Sequence, residues 1–83
     1  MSNAAVQRGM SELQTEQIQI VVNGEVRRVR GGLTVTALLA EMGIAGDRVA
    51  VELNRAIVRK PAWDATPVLD GAQLEIVQFV GGG

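Results

Sequence analysis

Val35, Leu38, Leu39 and Met42 recur at i, i+3, i+4 and i+7, the single apolar stripe of an amphipathic helix. Thr34 stands ahead of them as an N-cap, with a side-chain oxygen able to accept from the first turn. Gly43 supplies the left-handed residue that closes such a helix, and Ile44 falls where a Schellman motif sets its apolar contact with Leu39. A helix this short does not hold on its own and needs a sheet on which to lay its stripe. That requirement constrains everything on either side of it.

The flanks read as strands. Gln17 to Val22 alternates with a period of two and puts Ile18, Ile20 and Val22 on one face. Asn23-Gly24 follows, the pair best suited to a type I′ hairpin turn, which requires positive φ at both central residues. Glu25 to Arg30 is the return strand. Val26 and Val29 are three apart, so they share a face only if a bulge intervenes, and Arg27, Arg28 and Arg30 mark a charged edge. After the helix, Asp47-Arg48 leads into a third strand, Val49 to Leu53. Asn54-Arg55 turns it into a brief strand, Ala56 to Val58, which Pro61 ends because it cannot donate to a ladder. Lys60 to Leu69 is a connector, anchored on the core by Trp63 and stiffened by Pro67. Asp70-Gly71 opens the last strand, Gln73 to Val80. Leu74, Ile76 and Val80 lie on one face of it and Val77 and Phe79 on the other. Apolar residues on both faces predict a central strand, or a central strand whose outer face meets a partner.

Strand, strand, helix, strand, short strand, strand is an α+β order, with the helix on one face of a mixed sheet of four to five strands. If the last strand pairs in parallel beside the first, the arrangement is the β-grasp, or ubiquitin-like, fold. The domain is expected over residues 17–80, with a disordered leader at 1–16 and a flexible glycine tail at 81–83. The leader has Val6, Met10 and Leu13 as its large apolar residues and a nascent helix at most, from Ser11. Ser2-Asn3-Ala4 also resembles an expression-vector remnant, although Met1 suits a natural start equally well.

Composition narrows the function. Eighty-three residues make one small domain. With no cysteine there is no disulfide, thiolate metal site or thiol nucleophile. With no histidine the commonest metal ligand and neutral-pH base are missing too. No metal site and no catalytic residue is expected, and the chain does not read as an enzyme. A net charge of −1 supplies no basic field for nucleic acid, and no run of apolar residues is long enough to span a membrane. The expectation is a soluble, cytoplasmic protein with neither nucleic acid nor membrane as partner.

The remaining feature is the end, Gly81-Gly82-Gly83, directly after Leu74-Glu75-Ile76-Val77-Gln78-Phe79-Val80. Glycine packs nothing and is costly to order. Such an end is either a frayed terminus or the working part of the molecule. Here the chain resembles the ThiS family, the sulfur carriers of thiamin thiazole biosynthesis. The resemblance covers Ile18 to Gly83. It rests on Val22-Asn23-Gly24-Glu25, on Leu33-Thr34-Val35 with Leu38-Leu39 and Gly43-Ile44, and on Val49-Ala50-Val51-Glu52-Leu53-Asn54. Ile57-Val58, Arg59, Trp63, Asp70-Gly71 and the run Glu75 to Gly83 complete it. Three turns depart from the family pattern. Asn54-Arg55 stands for Asn-Gly, Lys60-Pro61-Ala62-Trp63 for a more polar approach to the Trp, and Gly71-Ala72 for Gly followed by an acid.

The resemblance implies that the chain is a co-substrate. A ThiF-like, E1-like enzyme uses ATP to adenylate Gly83, and a persulfide from a donor such as a cysteine desulfurase displaces AMP. The resulting thiocarboxylate gives its sulfur to a ThiG-like thiazole synthase, with Gly81 and Gly82 delivering Gly83. No cofactor is bound by the carrier itself, and ATP belongs to the activating partner. The chemistry suits the residues: a carboxylate with a pKa near ~3.5 is ionised and a poor electrophile until activated. Glycine offers no Cβ to block a narrow channel, and three extended residues reach roughly 10 Å. A molybdopterin or other sulfur pathway, and a ubiquitin-like interaction module that never uses its carboxylate, are the alternatives.

Other signals carry ordinary readings beside functional ones. Arg27-Arg28-Val29-Arg30-Gly31-Gly32 looks like a ubiquitin tail or an RGG motif, but it is internal, and a charged edge and loop explain it. Gly31-Gly32 before Thr34 could receive an anion or simply turn strand into helix. Arg55, Arg59 and Lys60 form either a solvated basic face or a docking patch for an acidic partner. Val77 and Phe79 fit a core or a partner-facing surface next to the tail.

Overall fold

The structure is a computed structural model that describes residues 16–79. Among the described residues the strands are β1 (Gln17–Val22), β2 (Glu25–Arg30), β3 (Val49–Leu53), β4 (Ala56–Val58) and β5 (Gln73–Gln78), with one α-helix, α1 (Val35–Glu41). They form one sheet in the order β2-β1-β5-β3-β4, in which β5 runs parallel to β1 and antiparallel to β3. The sheet is mixed, β5 is central, and the architecture is the α+β β-grasp expected from the element order.

Local chemistry explains most boundaries. Asn23 and Gly24 have φ of 52° and 83°, as the type I′ turn requires. The Ala37 N–H donates to the Thr34 side-chain oxygen at 3.2 Å, which caps α1. Its other end is a full Schellman closure: Gly43, at φ 71°, donates to Ala40 and Ile44 donates to Leu39. The stripe residues Val35, Leu38 and Leu39 are buried against Ile20, Val22, Val51, Leu74 and Ile76 of the sheet. Burying a side chain such as Leu38 contributes about 1.5–3 kcal/mol, which outweighs the weak intrinsic stability of a seven-residue helix.

The structure settles one point the sequence left open and differs from it in two others. β1 and β2 pair in an unbroken register from Gln17–Arg30 to Val22–Glu25, without a bulge. Val29 therefore turns toward the core while Val26 faces outward and is exposed. β5 ends at Gln78 rather than Val80, which lies outside the described residues. The connector is not irregular throughout, because Lys60–Ala65 forms a 3-10 helix with Pro61 in its first turn. Trp63 within it is buried and its indole N–H donates to the Val58 carbonyl at 2.8 Å. Gly46 packs on that indole so closely that a Cβ there would come within 2.9 Å of the ring. Leu33, Val68 and Ala72, from loops with no periodic pattern, complete the core.

The Asn54-Arg55 turn is also built with positive φ, 50° and 72°. Holding a side-chain-bearing residue in that region costs roughly 1–2 kcal/mol. Arg55→Gly is accordingly expected to stabilise the domain by about 0.5–1 kcal/mol after glycine's own entropy loss. Thermal unfolding followed by circular dichroism measures it, and an unchanged or lower midpoint would contradict it.

Candidate functional site

The geometry that bears on function is the exit of β5. Backbone pairing with β3 runs from Leu53–Leu74 to Val49–Gln78, and one further bond, from the Phe79 N–H to the Arg48 carbonyl at 2.9 Å, pins the last described residue. The chain is thus held by main-chain bonds up to Phe79. Gly81, Gly82 and Gly83 lie outside the described residues, as does the leader before Glu16.

Two asparagine side chains secure β5 and an aspartate ties the turn before it to β1, roles the sequence reading did not assign. The parallel ladder with β1 pairs only Val21 with Gln73 and Val22 with Leu74. Beyond it the Asn23 amide acts as a substitute strand. The Ile76 N–H donates to Asn23 Oδ1 at 2.7 Å, and Asn23 Nδ2 donates to the Ile76 carbonyl at 3.1 Å. Asn54 Oδ1 accepts from the Gln73 N–H at 3.0 Å, and Asp70 Oδ1 accepts from the Gln19 N–H at 2.8 Å. The signal available in advance was that each of these residues sits in a turn, where Asn and Asp often bond backbone groups. The partner of Asn23 is 53 residues away and could not be read locally.

Val77 and Phe79 lie on the sheet face away from α1, 53% and 56% exposed, so neither belongs to the core. Val77 stands directly opposite Ala50. One row further from the exit, Ile57, Glu52 and Glu75 line up across β4, β3 and β5. The two arginines do not sit together. Arg59 follows β4 at the exit end and lines a groove with Ala50, Ile57 and Lys60. Arg55 occupies the turn at the other end of β3, roughly 15 Å away along the strands. Among the described residues there is no cluster of three or more metal-ligating side chains and no helix long and apolar enough to cross a membrane.

A mixed five-stranded sheet with one helix on one face, and a central strand pinned up to the run that leads into the glycines, defines a protein of the ubiquitin-like, β-grasp class. The comparisons narrow this further. The ThiS family model matches residues 20–83. The crystal structure of the thiamine biosynthesis protein ThiS from Geobacter metallireducens is 40% identical and superposes with a TM-score of 0.69, covering 80% of this chain and 100% of that one. The thiazole synthase of Paramagnetospirillum magneticum is 47% identical over 66 residues, and that of Magnetococcus marinus 38%. The match takes in 80% of this chain but only 20% of either thiazole synthase, so the chain spans a fifth of those relatives' length. The chain belongs to the ThiS family, whose members are small sulfur carriers rather than catalysts.

Proposed function

We propose that the chain carries sulfur for thiazole formation in thiamin biosynthesis, on the α-carboxylate of Gly83. The observation that carries the reading is the family match, whose span, residues 20–83, takes in Gly81-Gly82-Gly83. The absence of cysteine agrees with it, since a chain without a thiol holds no sulfur on a side chain.

The chemistry follows from the carboxylate. A carboxylate oxygen of Gly83 attacks the α-phosphorus of ATP on a ThiF-like, E1-like enzyme; pyrophosphate leaves and an acyl adenylate forms. The terminal sulfur of a persulfide, supplied by a donor such as a cysteine desulfurase, attacks the acyl carbon and expels AMP. A thiol then cleaves the acyl disulfide in a two-electron reduction, leaving the thiocarboxylate. A ThiG-like thiazole synthase is the recipient, a role supported by relatives that carry the name thiazole synthase and contain a stretch similar to this chain. The domain contributes the mount: β5 is bonded on both sides, and four residues beyond Phe79 extend at most about 14 Å. In this reading Gly83 is acted on, Gly81 and Gly82 deliver it, and the exposed Val77, Phe79 and Arg59 border the exit where a partner would dock. Arg55 lies outside that border.

Incubation with ATP, the adenylating enzyme and a persulfide donor is expected to add the mass of an oxygen-to-sulfur exchange to the intact chain. Peptide mapping should assign the gain to Gly83. A cognate enzyme that consumes ATP without changing the mass, or a gain located elsewhere, would overturn the reading.

A further inference from the structure

Asn23 combines two properties that pull against each other. It precedes Gly24, and its side-chain amide is bonded through both polar atoms to Ile76 of β5. An asparagine followed by glycine is the pair most open to attack on its own side chain, because the next backbone nitrogen has no Cβ beside it. Asn23 is exposed, and nothing lies within 4 Å of where a Cβ on Gly24 would point, so water reaches the turn. Asn54, in the turn between β3 and β4, is followed instead by Arg55, whose side chain crowds the corresponding nitrogen.

We propose that Asn23 is a site of spontaneous deamidation, gated by its bonds to Ile76, and that the product unfastens β5. The Gly24 backbone nitrogen attacks Asn23 Cγ, the Cγ–Nδ2 bond breaks, and ammonia leaves with the proton that the Gly24 nitrogen gives up. Water then opens the succinimide. Attack at Cγ leaves aspartate, and attack at the main-chain carbonyl carbon leaves isoaspartate. The sum is water consumed and ammonia released, with no oxidant or reductant. Ring closure needs Cγ to swing onto the Gly24 nitrogen and Nδ2 to depart. The fold holds Oδ1 at 2.7 Å from the Ile76 nitrogen and Nδ2 at 3.1 Å from the Ile76 carbonyl. Both bonds must open first, so the reaction draws on the locally opened fraction of the folded chain. The product does not close again in the same way. Aspartate sets a carboxylate oxygen against the Ile76 carbonyl. Isoaspartate routes the main chain through Cγ, lengthens the Asn23-Gly24 turn and leaves its carboxylate directly on Cα, one carbon short of the reach to Ile76. The site stands apart from the carrier chemistry, since it needs neither ATP nor Gly83.

The test follows the full chain, folded and unfolded in urea, at mildly alkaline pH by intact mass and peptide mapping. Isoaspartate is detected by enzymatic methylation of its carboxylate. The folded chain is expected to gain the mass of an amide-to-acid exchange at Asn23, and the unfolded chain to do so at least about tenfold faster. Below the unfolding transition, added urea should raise the rate at Asn23 and hydrogen exchange at Ile76 in the same proportion. The converted chain, separated from the remainder, is expected to melt at least about 5 °C lower. Asn23→Asp, made directly, should match its aspartyl fraction. Rates within twofold of each other in the folded and unfolded chains would overturn the gate. Faster loss at Asn54, or conversion in the unfolded chain alone, would overturn the site. An unchanged midpoint in the converted chain would overturn the link to β5.

Discussion

One leucine appended after Gly83 is expected to lower the rate of thiocarboxylate formation by at least about 100-fold while leaving the thermal midpoint unchanged. The extra residue moves the reactive carbon one position, up to about 3.6 Å along the chain. A displacement of even 1 Å at a reacting centre costs on the order of 100-fold. The new terminus also carries a branched side chain where glycine offered none. The fold should not register the change, because the last described main-chain bond is made by Phe79, ahead of the glycines. Intact mass after timed reaction with ATP and persulfide donor, paired with circular dichroism melting, separates the two effects. A variant that still gains sulfur at the wild-type rate would show that Gly83 is not the acceptor. It would favour the reading in which the domain is an interaction module.

The second large effect concerns Asn23. Asn23→Ala is expected to destabilise the domain by about 2–4 kcal/mol, corresponding to a fall in midpoint of roughly 10–20 °C. Two losses combine. The part-buried N–H and carbonyl of Ile76 lose their partners, and alanine must hold the positive φ of 52° at some cost in strain. Asn23→Gly relieves the strain but not the missing bonds. Asn23→Asp keeps the acceptor for Ile76 and the tolerance for positive φ, but it sets a carboxylate oxygen against the Ile76 carbonyl where the amide donated. The wild type is therefore expected to be the most stable and Ala the least. A fall of less than about 0.5 kcal/mol for Asn23→Ala would mean that the amide adds nothing to the short parallel ladder. Hydrogen exchange at Ile76 gives a local readout, since its amide should open faster in all but the aspartate variant.

The effects have separate origins. In the proposed function the glycine end is expected to act through chemistry, whereas the expected effect of Asn23 is on stability, at the strand from which the glycines follow. A variant of Asn23 that still folds should still be thiocarboxylated, at a rate reduced only by its folded fraction.

Much of this domain was legible one segment at a time. The alternation in Gln17 to Val22, the Asn23-Gly24 turn, the Thr34 cap and the Gly43-Ile44 closure are local devices, and each appears where its residues predicted. They succeed because turns, caps and amphipathic stripes depend on neighbours a few residues away. The β2 edge illustrates the boundary of that logic. Val26 and Val29 left its face ambiguous, and only the unbroken register with β1 sent Val29 inward and Val26 out. The connector's Trp63 anchor was legible, but its helical turn was not, because Lys60–Ala65 carries no helical stripe. It is held as a 3-10 helix by Pro61 in its first turn and by the burial of Trp63.

By itself the sequence determined the order and type of the main elements, because these rest on short-range backbone preference and residue chemistry. Tertiary structure alone decided that the Asn23 amide bonds to Ile76 and that Glu52 and Glu75 face one another. Each depends on the register between strands distant in sequence. That register is selected by burial of the whole apolar set against α1, and no single segment encodes it.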